Sequence, residues 1–244
     1  MKIASIVIKN TGNIDRNISL MIDGIKEAKL NNADMVLFSE GEITGKIYGK
    51  DSTFDKKLAL SVTDEKLKIF SSMSIDLEVI IGFGFLELKN NKYYNTYIMY
   101  DKEGKIKVNY RMINENWHYS NSNYDSGESI NCWVIDDLSF SILLGDDCLD
   151  EVNQSMVNAL DVDICFIPRA KTFNDLKTKN LLDHQLLPYV EATKKMNTNV
   201  LLINQYLELD NELIYYGGIT EINSNSSIEN SLGIKKEGIL YTNI

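Results

Sequence analysis

The chain has 244 residues, of which 44% are hydrophobic and 25% charged, a composition typical of a globular protein with a sizeable core. Its formal net charge of −10 disfavours a nucleic-acid or anionic-membrane surface, and also acidic substrates, because such partners require clustered lysine and arginine. Three cysteines without Cys-x-x-Cys spacing, no long apolar stretch and no signal-peptide pattern favour a cytoplasmic protein without a membrane span. The length predicts one domain over residues 1–244.

The first quarter of the chain alternates strands and helices. Apolar residues predict a buried strand at Lys2–Ile8, and apolar positions at helical spacing predict an amphipathic helix over residues ~16–31. A second buried strand is predicted at Asp34–Phe38. A second helix is expected over residues ~63–74, with Thr63 as its N-cap.

The rest of the chain combines hairpins with one further strand–helix–strand unit and a β tail. The predicted strands are Leu77–Phe85, Tyr93–Tyr100, Ile106–Met112, Trp133–Ile135, Leu138–Leu144, one ending at Pro168, Val200–Ile203, Tyr215–Ile222 and Gly238–Ile244. Helices are expected over Glu151–Leu160 and residues ~176–197, with Pro188 as a kink or restart in the second. Alternating strands and helices indicate an α/β fold in layers, and the hairpins exclude a purely parallel sheet.

Several short motifs follow one another in an order typical of one protein family. They are Phe38-x-Glu40-x-x-x-Thr44-Gly45, Tyr94-Asn95-Thr96, Tyr110-Arg111-Met112, Tyr124–Glu128, Ser141–Asp147 and Gly217-Gly218-Ile219-Thr220. In this order and at these intervals, the motifs resemble the nitrilase or carbon–nitrogen hydrolase superfamily over nearly the full chain. The resemblance implies an α/β fold, the four-layer α-β-β-α sandwich, and a homodimer formed through packed helix layers.

The resemblance also implies cleavage of amides or nitriles through a thioester. In that chemistry a cysteine thiolate attacks carbon, a glutamate relays the proton, a lysine stabilises the oxyanion, and a second glutamate often lies nearby. Glu40 retains the first glutamate, whereas Met112 stands in place of the lysine and Gly145 in place of the cysteine. Ser120 stands in place of the second glutamate, with Glu115 nearby. The two central groups of the reaction are therefore missing.

The residues next to these positions are expected to have smaller roles. Tyr110, Asp146 and Asp147 are expected to line the pocket, and Arg111 is not expected to replace the lysine, because neighbouring strand residues point to opposite faces. A group of acidic residues is expected to form a solvated rim: Glu40, Glu42, Asp146, Asp147, Asp150 and Glu151.

Cysteine and histidine offer few further candidates for chemistry. Cys148 lies three residues after Gly145 and could act as a displaced nucleophile, but a small apolar residue at the start of a helix is the favoured interpretation. Cys132 and Cys165 are interpreted as lying on predicted strands and are expected in the core. The two histidines have no partner at metal-ligand spacing, so neither a metal nor another cofactor is expected.

Three functions remain open from the sequence. The first is a non-catalytic family member, a pseudoenzyme, that binds a small ligand or a protein partner. With the lysine lost, Glu40 and Asp146 favour a cationic ligand such as an amine, unless burial raises the pKa of Glu40. The second is an active amidase-type hydrolase that acts on C–N bonds other than peptide bonds through Cys148. The third is a structural subunit that dimerises with an active homologue.

Overall fold

The structure, a computed structural model of the chain, describes residues 1–45, 57–114, 124–172, 181–209 and 212–244. Its strands are β1 (Lys2–Val7), β2 (Lys9–Asn10), β3 (Met35–Leu37), β4 (Ile80–Lys89), β5 (Lys92–Tyr100), β6 (Ile106–Arg111), β7 (Trp133–Ile135), β8 (Leu138–Ile142), β9 (Ile164–Arg169), β10 (Asn199–Asn204), β11 (Tyr206–Leu209), β12 (Glu212–Tyr216), β13 (Ile219–Ile222), β14 (Ile228–Leu232) and β15 (Gly238–Asn243). Its helices are α1 (Ile14–Leu30), α2 (Glu65–Leu77), α3 (Glu151–Leu160) and α4 (Leu181–Met196), and a 3₁₀ turn spans Gly145–Leu149.

Two six-stranded sheets carry most of the strands. The first sheet has the order β15-β1-β3-β4-β5-β6, and the second has the order β14-β13-β10-β9-β8-β7. Strands β1, β3 and β4 run parallel in the first sheet, as do β8, β9 and β10 in the second, and the outer strands are antiparallel. A small third sheet has the order β12-β11-β2. The prediction of a mixed sheet is confirmed.

The two large sheets pack face to face, and helices cover their outer faces. Tyr97 and Tyr110 of the first sheet share one apolar core with Phe140 and Phe166 of the second. Helices α1 and α2 bury a second core against the first sheet, where the Phe70 and Phe83 rings lie 4.6 Å apart, and α3 and α4 contribute to the core of the second sheet. Removing this apolar surface from water is the main term that stabilises the layers. The fold is the four-layer α-β-β-α sandwich.

Two local predictions are wrong, one about a helix cap and one about the length of a strand. The N-cap of α2 is Asp64 rather than Thr63, because the Asp64 side chain accepts the hydrogen bond from the Lys66 N–H. The predicted strand Tyr215–Ile222 is two strands, since Gly217 and Gly218 adopt φ values of +73° and +98° that no extended strand tolerates.

Helix α4 contains Pro188 within one continuous helix, and the first residues predicted for that helix lie outside the described ranges. Among the described helices, none is long and apolar enough to cross a membrane.

Candidate functional site

The positions that the sequence resemblance assigns to the catalytic groups lie at the carboxyl ends of strands. Glu40 follows β3, Met112 follows β6, Gly145 follows β8 and Ala170 follows β9. These strands point the same way within their sheets, so their ends meet at one edge of the sandwich. The backbone of Glu40 and Gly41 packs directly against β4 at Gly84. A side chain at residue 84 would prevent this contact, because its Cβ would lie 2.5 Å from the Gly41 nitrogen.

The structure brings Glu40, Met112 and Gly145 together. A Cβ atom built on Gly145 would lie 3.0 Å from Glu40 Oε2 and 3.3 Å from Met112 Cε. Gly145 adopts a φ of +52°, a conformation that glycine takes more readily than any other residue. The three positions chosen from the sequence therefore share one small space, and of these three residues only Glu40 carries an ionisable group.

Glu40 is almost fully buried, with 6% of its surface exposed. Asn95 Nδ2 donates to Oε1 at 2.8 Å, and the Ala170 backbone N–H donates to Oε2 at 2.9 Å. Burial is the largest cause that raises the pKa of Glu40 to about 7, and the nearby Asp146 adds to the increase. Among the described residues no cation pairs with Glu40. At neutral pH its carboxyl group can therefore both donate and accept protons.

Met112 is buried on the same side as Glu40. Its Sδ accepts a hydrogen bond from Asn95 Nδ2 at 3.3 Å, so one amide group contacts both Glu40 and the thioether. Its neighbour Arg111 donates to both carboxylate oxygens of Glu87, at 2.6 and 2.8 Å, and stacks 4.4 Å from the ring centroid of Tyr94. Arg111 therefore points away from Glu40, as the alternation along a strand predicts.

Asp147 and Tyr110 contact each other within the core of the sandwich. Asp147 is fully buried and accepts hydrogen bonds from the Tyr110 hydroxyl at 2.6 Å and from the Asn114 N–H at 2.7 Å. Burial is the largest cause that raises the pKa of Asp147. Glu42 is equally enclosed, with Ser39 and Asn10 as donors.

The expected solvated acidic rim is wrong for half of its members. Glu40, Glu42 and Asp147 are buried and hydrogen-bonded. Asp150 accepts from two N–H groups as the N-cap of α3, and Glu151 pairs with a lysine of α4 at the surface. One sequence pattern thus covers three environments that only the packing separates.

Asp146 is the partly exposed member of the group. Lys171 Nζ lies 2.8 Å from its Oδ2, and the Tyr189 hydroxyl donates to its Oδ1 at 3.1 Å. The prediction that Asp146 and Glu40 together attract an amine therefore loses part of its basis, because Asp146 already has a cation.

The cysteines occupy contrasting environments. Cys148 is fully buried, its Sγ donates to the Gly145 carbonyl oxygen at 3.3 Å, and burial raises the pKa of the thiol well above its ordinary value. A thiol held as a neutral donor is a poor nucleophile. Cys165 is buried as expected, whereas the prediction of a core position for Cys132 is wrong, since that side chain is exposed.

Sequence reasoning missed two residues that contact Glu40, Asn95 and Ala170, and the two residues on either side of Ala170, Arg169 and Lys171. Asn95 lies inside a motif noted for the fold, but its side chain had no assigned role. Arg169 and Lys171 follow Pro168 at the end of a buried strand, and two basic residues there in an acidic chain were an available signal. Ser120 and His118 lie outside the described residues.

Comparisons with known proteins agree with this architecture. A model of the carbon–nitrogen hydrolase family matches residues 2–125, just over half of the chain. The glutamine-dependent NAD(+) synthetase of Acinetobacter baylyi is 22% identical over 241 residues, and the match covers 95% of this chain but only 41% of that protein. The chain therefore spans less than half the length of this curated relative.

Solved structures show the same fold at low sequence identity. The glutamine-dependent NAD+ synthetase of Acinetobacter baumannii matches with a TM-score of 0.80 and 20% identity, over 98% of this chain and 44% of that chain. An amidase from Nesterenkonia sp. matches with a TM-score of 0.83 and 14% identity, over 100% of this chain and 90% of that chain. The family match, together with the sandwich fold and the shared space around Glu40, identifies the chain as a member of the carbon–nitrogen hydrolase family.

Proposed function

We propose that this chain is a carbon–nitrogen hydrolase family member that no longer forms a thioester and binds a small molecule beside Glu40 without cleaving it. The observation that carries the proposal is the convergence of Gly145 and Met112 on Glu40, with a Gly145 Cβ position 3.0 Å from Glu40 Oε2. Where the family's thiolate and ammonium groups would meet, this chain has a hydrogen atom and a thioether. Neither group attacks carbon or stabilises an oxyanion.

The site nevertheless retains groups suited to binding. Glu40, with a pKa of about 7, can accept a hydrogen bond from a ligand nitrogen when ionised and donate one when neutral. The names of the relatives, amidase and glutamine-dependent synthetase, point to ligands that carry an amide. An amine remains a second prediction, favoured above pH 7 where Glu40 is ionised.

Turnover by the wild-type chain tests this proposal directly. The chain is incubated with acetamide, propionamide, glutamine and butyronitrile, while ammonia release and the intact mass are followed. We expect no ammonia above the rate without protein and no acyl adduct, together with a shift in melting temperature for at least one amide. Ammonia release that disappears in the Glu40→Gln variant would overturn the proposal.

Hydrolysis through Cys148 is the alternative function. It requires the thiol to leave its hydrogen bond with the Gly145 carbonyl and to ionise in a buried environment that raises its pKa. Turnover by the wild-type chain that is lost in the Cys148→Ser variant would favour this alternative. The same assay therefore separates the two functions.

Assembly and location form a further part of the proposal. We propose a homodimer, or a pairing with an active homologue, through the layer of α3 and α4. Exposed apolar side chains on these helices support it: Val152, Met156 and Leu187. A cytoplasmic location is proposed from the three unpaired cysteines. Light scattering of wild type and of Leu187→Lys tests the assembly, since the added charge should lower the mass to that of one chain.

A further inference from the structure

Arg169, the last residue of β9, carries a buried charge that has no counter-ion among the residues that the structure describes. Only 3% of its surface is exposed. Its guanidinium carbon lies 4.2 Å from the ring centroid of Tyr189 and 5.5 Å from that of Tyr216. Within the described parts of the chain, its Nε and Nη1 have no hydrogen-bond partner and no carboxylate forms an ion pair with it. Because an arginine does not lose its proton in a protein, the charge persists.

Such an arrangement is costly for stability. The faces of two tyrosines return part of the solvation that the guanidinium loses, but less than a paired carboxylate would. A methionine of similar length would fill the same space without the charge. Residues that lower stability in this way are commonly kept for binding or catalysis rather than for the fold.

Arg169 directly precedes, in the chain, the residue that donates to Glu40. The next residue, Ala170, donates its N–H to Glu40, and the one after, Lys171, extends its ammonium group to Asp146. In the chain, a cationic residue therefore lies on each side of Ala170, the residue whose N–H donates to Glu40. Asp146, which is partly exposed, is already engaged by Lys171 and by the Tyr189 hydroxyl.

We propose that Arg169 binds an oxyanion group of the ligand, a carboxylate or a phosphate, while another part of the same ligand contacts Glu40. This inference rests on the proposed function, because it names the chemical class of the ligand held there. Lys171 is the second cation of the subsite, at its solvent-exposed side. The tyrosine faces hold the guanidinium plane in place before the ligand arrives, which lowers the entropy lost on binding.

This inference reverses an expectation from composition. A net charge of −10 disfavours acidic ligands at the level of the whole chain. A ligand in a site, however, responds first to the charges within a few ångströms, where screening by water is weakest. At this edge Asp146 pairs with Lys171, no carboxylate of the described residues pairs with Arg169, and burial raises the pKa of Glu40 to about 7.

The test measures melting temperature and calorimetric affinity with defined probes. Glutarate carries a carboxylate and glycerol phosphate carries a phosphate, so comparing the two shows which oxyanion the site binds. Glutaramide and 1,5-diaminopentane are the uncharged and cationic counterparts of glutarate. For wild type we expect one of the two anions to raise the melting temperature, and neither counterpart to match it.

Variants locate the effect at Arg169. Arg169→Met should lower the affinity for the anion at least about tenfold, as expected for loss of a charge-assisted contact. It should also raise the melting temperature of the ligand-free chain, because the unpaired charge is gone. Lys195→Met removes a surface lysine that pairs with Glu151 and should leave the anion affinity unchanged.

Two results would overturn the inference. They are no response of wild type to either anion, and an equal response to the anion in wild type and in Arg169→Met. If Arg169→Met does not fold, Arg169→Lys is the variant to test. It keeps the charge but loses the planar donors, so it must lower the affinity for the anion if the inference is to stand. Failure here leaves the proposed function intact, since that function is judged by ammonia release and acyl adducts.

Discussion

The phenol of Tyr110 donates a 2.6 Å hydrogen bond to Asp147 and so ties one sheet of the sandwich to the other. Tyr110 lies on β6 two residues before Met112, and Asp147 lies two residues after Gly145. The contact therefore fixes the distance between Met112 and Gly145, the positions that we propose correspond to the family's lysine and cysteine.

Removing either partner of this contact should lower stability. Asp147 also accepts from the N–H groups of Ile113 and Asn114, so Asp147→Asn leaves several buried donors poorly paired. We expect a loss of roughly 2 kcal/mol in the free energy of unfolding for Asp147→Asn and about 1 kcal/mol for Tyr110→Phe. Urea unfolding of both single variants and of the double variant measures these values.

The double variant gives the sharper result. Because Tyr110 and Asp147 share one hydrogen bond, the double variant should lose less free energy of unfolding than the sum of the two single variants. Asp76→Asn, a change at an exposed side chain, is the control and should unfold at the wild-type urea concentration. Strictly additive effects would show that the bond contributes nothing.

The two buried glutamates predict an unusual pH dependence of stability. Burial raises the pKa of Glu40 and of Glu42 from 4.5 to about 7. Between these values the folded chain holds protons that the unfolded chain has released, so stability falls as the pH rises from about 4.5 to about 7. Each group should account for a loss of roughly 3 kcal/mol over this range.

Urea midpoints measured from pH 4.5 to pH 8 test this dependence. Glu40→Gln should remove about half of the slope and should therefore gain stability relative to wild type at pH 8. Glu42→Gln should do the same, whereas Glu103→Gln, at an exposed position, should follow the wild-type curve. A wild-type chain whose stability rises between pH 5 and pH 7 would contradict the raised pKa values.

Alkylation should separate the three cysteines by exposure. Cys132 is exposed, whereas Cys148 and Cys165 are fully buried and burial raises the pKa of both thiols. Iodoacetamide at pH 7.5 should therefore label Cys132 first and the other two only when the chain unfolds. Peptide mass spectrometry in the absence and presence of urea measures the order. Native labelling of Cys148 ahead of Cys132 would instead support a reactive thiol beside Gly145.

The sequence was sufficient to place Glu40, Met112 and Gly145 in one site. Glu40 and Gly145 follow strongly apolar strands and Met112 follows a strand of alternating apolar and polar residues, and both patterns fix the end of a strand to within a residue or two. Once the order of the strands is known, their carboxyl ends must meet. The prediction therefore depended only on short stretches of chain and on one family topology.

The same reasoning could not find the subsite at Arg169. Its surroundings come from β9, from α4 through Tyr189 and from β12 through Tyr216, which are separated by long stretches of sequence. Nor could local pattern distinguish Asp146 from Asp147. One is partly exposed and the other fully buried because the 3₁₀ turn directs adjacent side chains to opposite sides. Burial of single polar groups depends on packing between distant elements, which a linear pattern does not contain.

Restoring the two lost groups tests what the emptied site still supports. In Gly145→Cys the new Cβ has contact distances of 3.0 Å to Glu40 Oε2 and 3.3 Å to Met112 Cε, so small shifts of two side chains accommodate it, and the φ of +52° costs roughly 1 kcal/mol. Alone, the introduced thiol faces a carboxyl group, which disfavours the thiolate. Adding Met112→Lys places a cation beside both groups and should lower the pKa of the thiol.

The expected readout is the rate of iodoacetamide labelling at position 145. Each pKa unit of thiol stabilisation raises the thiolate fraction about tenfold at pH values below the pKa, so the double variant should label at least about tenfold faster than Gly145→Cys alone. Met112→Lys alone provides the background from the native cysteines. Equal rates in the single and double cysteine variants would mean that position 112 no longer reaches position 145. A faster double variant would mean that the scaffold still positions this pair and that only two side chains separate it from the family's reactive thiol.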